Sequence, residues 1–478
     1  MEAASKNDSD KFVVRLRNYW QSSQVENRGI EPIPLEERTS KRYFNAFTLW
    51  CSINTNILAV TFGLIGPVSF GLSLRDSSLV IFCFTLLTTL APAYFSIMGP
   101  KTGMRQMVQA RYSFGKYLVT IPIVLNLATL LCFSIVICVV GGECLSAVSD
   151  GRLSPNIGIV LIAVFALLVS FWGFNVMHFF EGYAWIPALV SIIITVGCGG
   201  NQLHLQTETE RATAQQILGY GGVIASYMLP WACVASDMTT YFNPTGKNAS
   251  ARIFAYSYLG LFLPTVLLMT LGAAIGGAMA NVPAWQNGFE ETQVGGVLAA
   301  MLSPAGGFGK FIVVLLAFSL LANLSGTMYA ITINFQALVP IKLPRAVYSV
   351  IVVALEIPLA IEAAVDFFLN IEHLVALIGY WSAAFIGIIL VEHFVFRGGN
   401  YDLYNPLNVN TASALPSGLA AMGAAVLAFG LVVPCISQYW FTGPIAAITG
   451  DIGFEVAFFL SSLLYVPLRW LERRWMGH

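Results

Sequence analysis

The chain has 478 residues, 57% hydrophobic and only 10% charged, with a formal net charge of -1. A soluble domain carries roughly 25% charged residues, so an ordinary water-soluble fold is excluded and the lipid bilayer is the main partner. The near-neutral charge gives no electrostatic footprint for a nucleic-acid partner.

Residues 1–45 are polar with no apolar core after Met1, so no cleavable signal peptide is expected and the first span must serve as the targeting signal. Twelve apolar stretches follow, at roughly 47–71, 78–98, 118–147, 156–174, 183–200, 218–241, 254–280, 310–338, 346–363, 372–396, 414–437 and 443–468. Most exceed the ~20 residues that a helix needs to cross hydrocarbon. Turn-rich clusters such as Asp150-Gly-Arg-Leu-Ser-Pro155 and Phe242-Asn-Pro-Thr-Gly-Lys-Asn248 read as loops between them.

An even number of spans puts both termini on one side. Of the 24 Lys and Arg residues, twenty fall on the side of the N-terminus, from Lys6 to Arg474. The opposite loops hold only Arg75, Arg152 and Arg211, and Lys310 sits at a helix end. This bias predicts cytoplasmic termini in a multi-pass membrane protein. The cysteines lie in spans or at their ends, so no disulfide framework is implied. Asn7 and Asn248 head glycosylation patterns on the side expected to be cytoplasmic, and Asn323 heads one inside a span, so none is expected to be modified.

Such a chain is a carrier, a channel or an intramembrane enzyme. Its five His residues (178, 204, 373, 393, 478) are scattered, no metal-ligand spacing appears, and no Gly-rich loop is placed to cradle phosphate. No enzyme activity, cofactor or metal is therefore expected. A channel would show a repeated filter sequence, and none is visible. A carrier binds its substrate near mid-membrane, where broken helices free backbone groups. Two spans look breakable. Span one holds Trp50-Cys-Ser-Ile-Asn-Thr-Asn56, with Ser52, Asn54, Thr55 and Asn56 within a turn and a half; span six holds Pro230, followed by Ser236-Asp237. Polar residues of this kind also serve as glue between helices. Breaks five spans apart, however, suggest two five-helix repeats, spans one to five over 47–200 and spans six to ten over 218–396. Spans eleven and twelve over 414–468 and a tail over 469–478 complete the division.

Several segments resemble the fungal purine-cytosine permeases of the nucleobase-cation-symport-1 family. They are Arg28-Gly-Ile-Glu-Pro-Ile-Pro34 in the tail and Gly99-Pro-Lys-Thr-Gly-Met-Arg-Gln-Met-Val-Gln-Ala-Arg-Tyr112 after span two. Val140-Gly-Gly-Glu143, Trp231 with Ala235-Ser-Asp237-Met-Thr239, Ile378-Gly-Tyr-Trp381 and Glu392-His-Phe-Val-Phe-Arg397 with Tyr401-Asp402 are similar too, in order along nearly the whole chain. The resemblance implies an all-α fold of twelve transmembrane helices, a LeuT-type five-plus-five inverted repeat with two additional C-terminal helices. It also implies cation-coupled uptake of a small nucleobase-like heterocycle, driven by protons more often than sodium in the fungal branch.

A planar heterocycle is held by stacking on aromatic rings and by amides that pair with its edge. Trp231 stands where the family keeps its span-six Trp, Ser52 lies near the family's span-one polar contact with Asn54 beside it, and Asn323 matches the first residue of the family's Asn-Asn-x-Pro-Asn signature. That signature continues here as Leu324-Ser-Gly-Thr327, and the family's span-three Trp-x-x-x-Asn pair becomes Phe133 and Ile137. One aromatic face is kept and its amide is lost. Because hydrogen-bonded edges are the strongest discriminators among bases, a pyridoxine- or thiamine-like ring or a specialised metabolite fits alongside a purine or cytosine. A transporter-like receptor without flux is a further alternative.

Carboxyl groups in spans cost about 2.5–3.5 kcal/mol each at the helix centre. Glu143, where the family commonly has Gln, is either a group that reaches water near the outer end of span three or a proton-coupling acid, since burial favours the protonated form. Asp237 is expected to cap the second half of span six or to make a charge contact at a gate, and is the other coupling candidate. Glu356 and Glu455 are expected to pair structurally, and Glu392 and His393 to form an interface pair with Arg397.

Overall fold

The computed structural model describes residues 29–171, 182–339, 345–438 and 440–476. Asn7, Arg28, His178, Lys342 and His478 lie outside them, as does the end of the stretch expected at 156–174. In chain order the main helices are α1 (Phe44–Asn54), α2 (Ile57–Phe70), α3 (Leu74–Thr88), α4 (Leu90–Thr102), α5 (Thr120–Ala147), α6 (Pro155–Phe171), α7 (Trp185–Gly199) and α8 (Ala214–Met228). They continue as α9 (Ala235–Thr239), α10 (Ala249–Met279), α11 (Pro283–Leu302), α12 (Gly306–Leu338), α13 (Arg345–Ala363), α14 (Phe367–Val391), α15 (Leu419–Val432) and α16 (Gly453–Met476).

Among the described residues, seven helices are long and apolar enough to cross a bilayer, or eight if α1 and α2 count as one bent span. The stretches expected at 156–174, 218–241, 346–363 and 414–437 coincide with the shorter or broken helices α6, α8–α9, α13 and α15. Three features were not anticipated. Helix α11 occupies the connection between spans seven and eight, a two-stranded ladder pairs Ser437 with Thr442 and Gln438 with Phe441, and α16 runs on through Arg469 to Met476 rather than ending at 468.

The break in span one is written in its side chains. Asn56 is extended (φ -156°, ψ 173°) and its Oδ1 accepts from the Leu58 amide at 2.9 Å, the N-cap of α2. Its Nδ2 donates back to the Ile53 carbonyl at 2.7 Å, and Asn54 Nδ2 donates to the Trp50 carbonyl at 3.0 Å. The same short run thus closes α1 and opens α2, and the axis turns by 57°. Span six breaks as expected near Pro230: α8 ends at Met228, a 3-10 turn covers Leu229–Cys233, and Val234 (φ -132°, ψ 0°) is non-helical before α9.

Close approach holds span one against α10. A Cβ on Gly63 would lie 2.0 Å from the Met269 carbonyl oxygen, and one on Gly272 would lie 2.0 Å from that of Val60. Small residues let the backbones meet where lipid offers no hydrophobic drive between helices.

Both ends of the described chain lie on one face. Ile33 N donates to Gly103 O at 2.8 Å, Ser40 pairs with Tyr241 and Asn243, and Glu472 accepts from Ser417 and Gly418 beside Phe114. On this tail face Tyr112 donates to Asn405 O at 2.5 Å; burial pushes its phenol up to about 12 against the pull of Arg397 and Arg111, so it remains a neutral donor. On the opposite face Lys310 meets Asp150 at 2.6 Å and holds that exposed carboxyl below the usual carboxylate range.

Candidate substrate site

The two broken spans bring aromatic rings together. Trp231, in the 3-10 turn of span six, meets Trp50 of α1 edge-to-face, with centroids 5.6 Å apart and planes at 77°. One turn earlier, Tyr227 packs against Phe62 at 4.8 Å and against Phe133 of α5 at 6.3 Å. Edge-on and tilted pairs are the favoured geometry of aromatic quadrupoles, so these rings support one another without a ligand. Tyr227 also donates its hydroxyl to Asn54 Oδ1 at 3.3 Å, which ties span six to the break in span one.

Span eight closes the polar side. Asn323 Nδ2 donates to Ile53 O at 3.1 Å, and Thr327 Oγ1 donates to Asn323 Oδ1 at 3.3 Å. The Ile53 carbonyl, released by the break, therefore receives two amides, from Asn56 and Asn323. Two buried groups beside it have no protein partner: the Trp50 indole Nε1 and the Ser52 hydroxyl. A buried polar group left unpaired is costly and calls for an explanation.

Of the residues singled out from sequence, Asn54, Phe133, Trp231, Asn323 and Thr327 are linked by these contacts, and Ser52 lies on α1 between Trp50 and Asn54. Ile137 is buried one turn along α5 from Phe133. Glu143 lies apart, ten residues and so about 15 Å along the helix from Phe133. It does not reach water: it is 3% exposed, because α11 covers it, with Gly295 closing on the Glu143 backbone.

Asp237 also lies apart, on the tail face. It does not cap α9. Its Oδ1 accepts from the Gln106 amide at 2.7 Å, capping the short helix Gln106–Gln109 that follows α4, and its carbonyl accepts from Arg105 Nη1 at 2.6 Å. Arg105 reaches further, to Gly29 O at 3.2 Å and over the rings of Tyr241 and Tyr329 at 5.7 Å each. One guanidinium thus joins the N-terminal segment, span six and span eight beneath the aromatic site.

The other acids are placed by tertiary contacts. Glu392 pairs with Arg397 at 2.9 Å, as expected, but it is also buried by α16, whose Arg469 and Tyr465 hydroxyl converge on it at 3.1 and 2.9 Å. Glu356 accepts from Ser134 and Cys138 of α5, and Glu455 keeps one oxygen without a partner. Trp50, Asn56, Tyr227 and Arg105 join the site beyond the candidates that the sequence names. Trp50 and Asn56 bound the polar run already singled out, and Tyr227 precedes Trp231 by four positions, one helical turn. Arg105 stands within the family segment Gly99–Tyr112, and only its tertiary contacts set it apart from the other basic residues of its face.

The sequence model of the family described as permease for cytosine/purines, uracil, thiamine, allantoin matches residues 32–456. The purine-cytosine permease fcyB of Emericella nidulans is 30% identical over 476 residues, covering 98% of this chain and 93% of that protein. The vitamin B6 transporter TPN1 of Saccharomyces cerevisiae is 27% identical over 546 residues, covering 99% and 93%. In three dimensions the chain is similar to Mhp1, a nucleobase-cation-symport-1 family transporter solved in a closed conformation with bromovinylhydantoin bound. The TM-score is 0.73 at 14% identity, covering 94% of this chain and 96% of that one. The fold is that of the LeuT-type transporters, with helices broken at spans one and six, and the protein is a multi-pass membrane transporter rather than an enzyme. The chain belongs to the family of permeases for cytosine and purines, uracil, thiamine and allantoin.

Proposed function

We propose that this permease imports a planar, nucleobase-like heterocycle of the purine or cytosine class across the plasma membrane, driven by protons, with the tail face in the cytoplasm. The observation that carries the reading is the pairing of aromatic walls with unpaired polar groups at two helix breaks. Trp231 and Phe133 supply stacking surface, while Trp50 Nε1, Ser52 and the Asn54–Asn323–Thr327 set supply polar contacts for an edge. Spans one and six can then rearrange around the ring to alternate access. Ile137 favours a second reading, a pyridoxine-like vitamin. Where an amide would pair with a base edge there is a branched alkyl group, and the remaining polar complement is mostly hydroxyl.

The basic residues of the tail face support its cytoplasmic placement. Coupling through a buried carboxyl fits a cycle in which a proton binds from one side and leaves to the other, and Glu143 and Asp237 are the acids that the sequence proposes for it. Sodium is the less favoured ion.

The test is radiolabelled uptake of cytosine, adenine, hypoxanthine, uracil, pyridoxine and thiamine in a host that lacks these carriers. Accumulation of cytosine or a purine that rises as external pH falls, collapses with a protonophore and ignores sodium is expected. Uptake of pyridoxine alone would favour the second reading. Binding without accumulation would make the protein a receptor, and sodium dependence would overturn proton coupling. Ile137→Asn, by returning an amide to span three, should shift preference towards cytosine.

A further inference from the structure

Helix α5 carries two pairs of side chains in step. Phe133 and Ile137, one turn apart, are the span-three candidates for the substrate wall. Ser134 and Cys138, each the next residue along, lie about 100° further round the helix. Both donate to one oxygen of Glu356 on α13, the hydroxyl at 2.5 Å and the thiol at 2.9 Å. Glu356 is wholly buried, and its second oxygen has no partner.

Among the described residues, no counter-charge pairs with this carboxyl. Helix α13 packs against α5, α6 and α12. The titratable side chains of α5 are Cys132, Cys138, Glu143 and Cys144; α6 has none; α12 has Lys310, engaged with Asp150 on the opposite face, and Tyr329, beside Arg105 on the tail face. On α13 itself Arg345, Tyr348 and Glu362 stand eleven, eight and six residues away, roughly 9–17 Å along the axis.

We infer that Glu356, rather than Glu143 or Asp237, which lie apart from the aromatic site, carries the coupling proton, and that Ser134 and Cys138 transmit its charge state to the substrate wall. The inference rests on the proton-driven reading above. In the protonated form the proton sits on the unpaired oxygen, and the other oxygen accepts from α5 as observed. Loss of the proton to the tail side leaves an uncompensated carboxylate, which can be stabilised only by drawing donors or water towards it. The donors at hand belong to α5, so a change of charge on Glu356 displaces the helix that presents Phe133 and Ile137. A proton taken up outside thereby favours the arrangement that receives the heterocycle.

The test uses the full-length protein in vesicles with an imposed proton gradient, and radiolabelled cytosine and pyridoxine as probes. Accumulation and substrate exchange at equal pH are both measured. Glu356→Gln keeps the volume and hydrogen-bonding capacity but cannot release a proton. It should retain exchange while accumulation falls to equilibration, and the dependence of uptake on pH should vanish. Retention of gradient-driven accumulation in Glu356→Gln overturns the inference. Loss of exchange together with accumulation, at normal membrane levels, also overturns it and makes Glu356 a packing group. Wild-type accumulation that ignores the gradient instead sinks the proton-driven reading itself, a result read before any variant is compared.

Discussion

The side-chain amide of Asn323 donates to the main-chain carbonyl of Ile53 at 3.1 Å, joining span eight to the break in span one across 270 residues of sequence. The bond meets a carbonyl that the break has freed, so this residue anchors the polar side of the site whether or not it also touches substrate. Asn323→Leu is expected to abolish uptake and to lower stability by roughly 0.5–1.5 kcal/mol, the range for one lost hydrogen bond, because Asn56 still donates to that carbonyl. Uptake corrected for surface protein, together with thermal unfolding of the purified carrier, checks both parts. Normal uptake would show that Asn56 alone suffices for that carbonyl.

Trp231 is expected to stack on the substrate. Trp231→Ala should remove saturable uptake at normal surface levels, while Trp231→Phe keeps part of it, because a smaller ring retains some stacking surface. The edge-on contact with Trp50 offers a control: if Trp231 only packs, the Ala variant should unfold more readily yet transport what survives normally.

Arg105 is expected to hold the tail face shut. Its bonds to Asp237 O and Gly29 O join elements that must separate for release to that side. A hydrogen bond to a charged group contributes roughly 1.5–3 kcal/mol. Arg105→Ala should therefore shift the population towards a tail-open state by about tenfold or more. Alkylation of Cys233 or Cys51 by an impermeant maleimide applied from the tail side reads this directly. An unchanged labelling rate would confine Arg105 to anchoring the N-terminal segment.

Gly272 is expected to tolerate no side chain. A Cβ there would press on the Val60 carbonyl at 2.0 Å, and backbone cannot step aside as a flexible side chain can. Gly272→Ala should destabilise the contact of α10 with α2 by about 1–3 kcal/mol, whereas Ala at Gly222, which has open space around it, should have little effect. The two melting temperatures in detergent decide the comparison.

The sequence by itself determined the multi-pass helical class, the family and the two places where helices break. Hydrophobic length and charge bias act locally and need no knowledge of neighbours. The Asn54-Thr55-Asn56 run and Pro230 likewise act within their own helices, by capping and by removing a donor. Trp231, Asn323 and Phe133 were legible as candidates because they stand at positions of the family motifs.

What the acids do was decided only by the tertiary structure. Asp237 caps a helix 131 residues away, Glu392 gathers an arginine and a tyrosine from α16, Glu143 is buried by α11, and Glu356 meets two donors on α5. A carboxylate in a membrane is so costly unpaired that its partner defines its role. For Asp237, Glu356 and the α16 contacts of Glu392 that partner lies on another helix, at a sequence separation that no periodicity or spacing rule can reach.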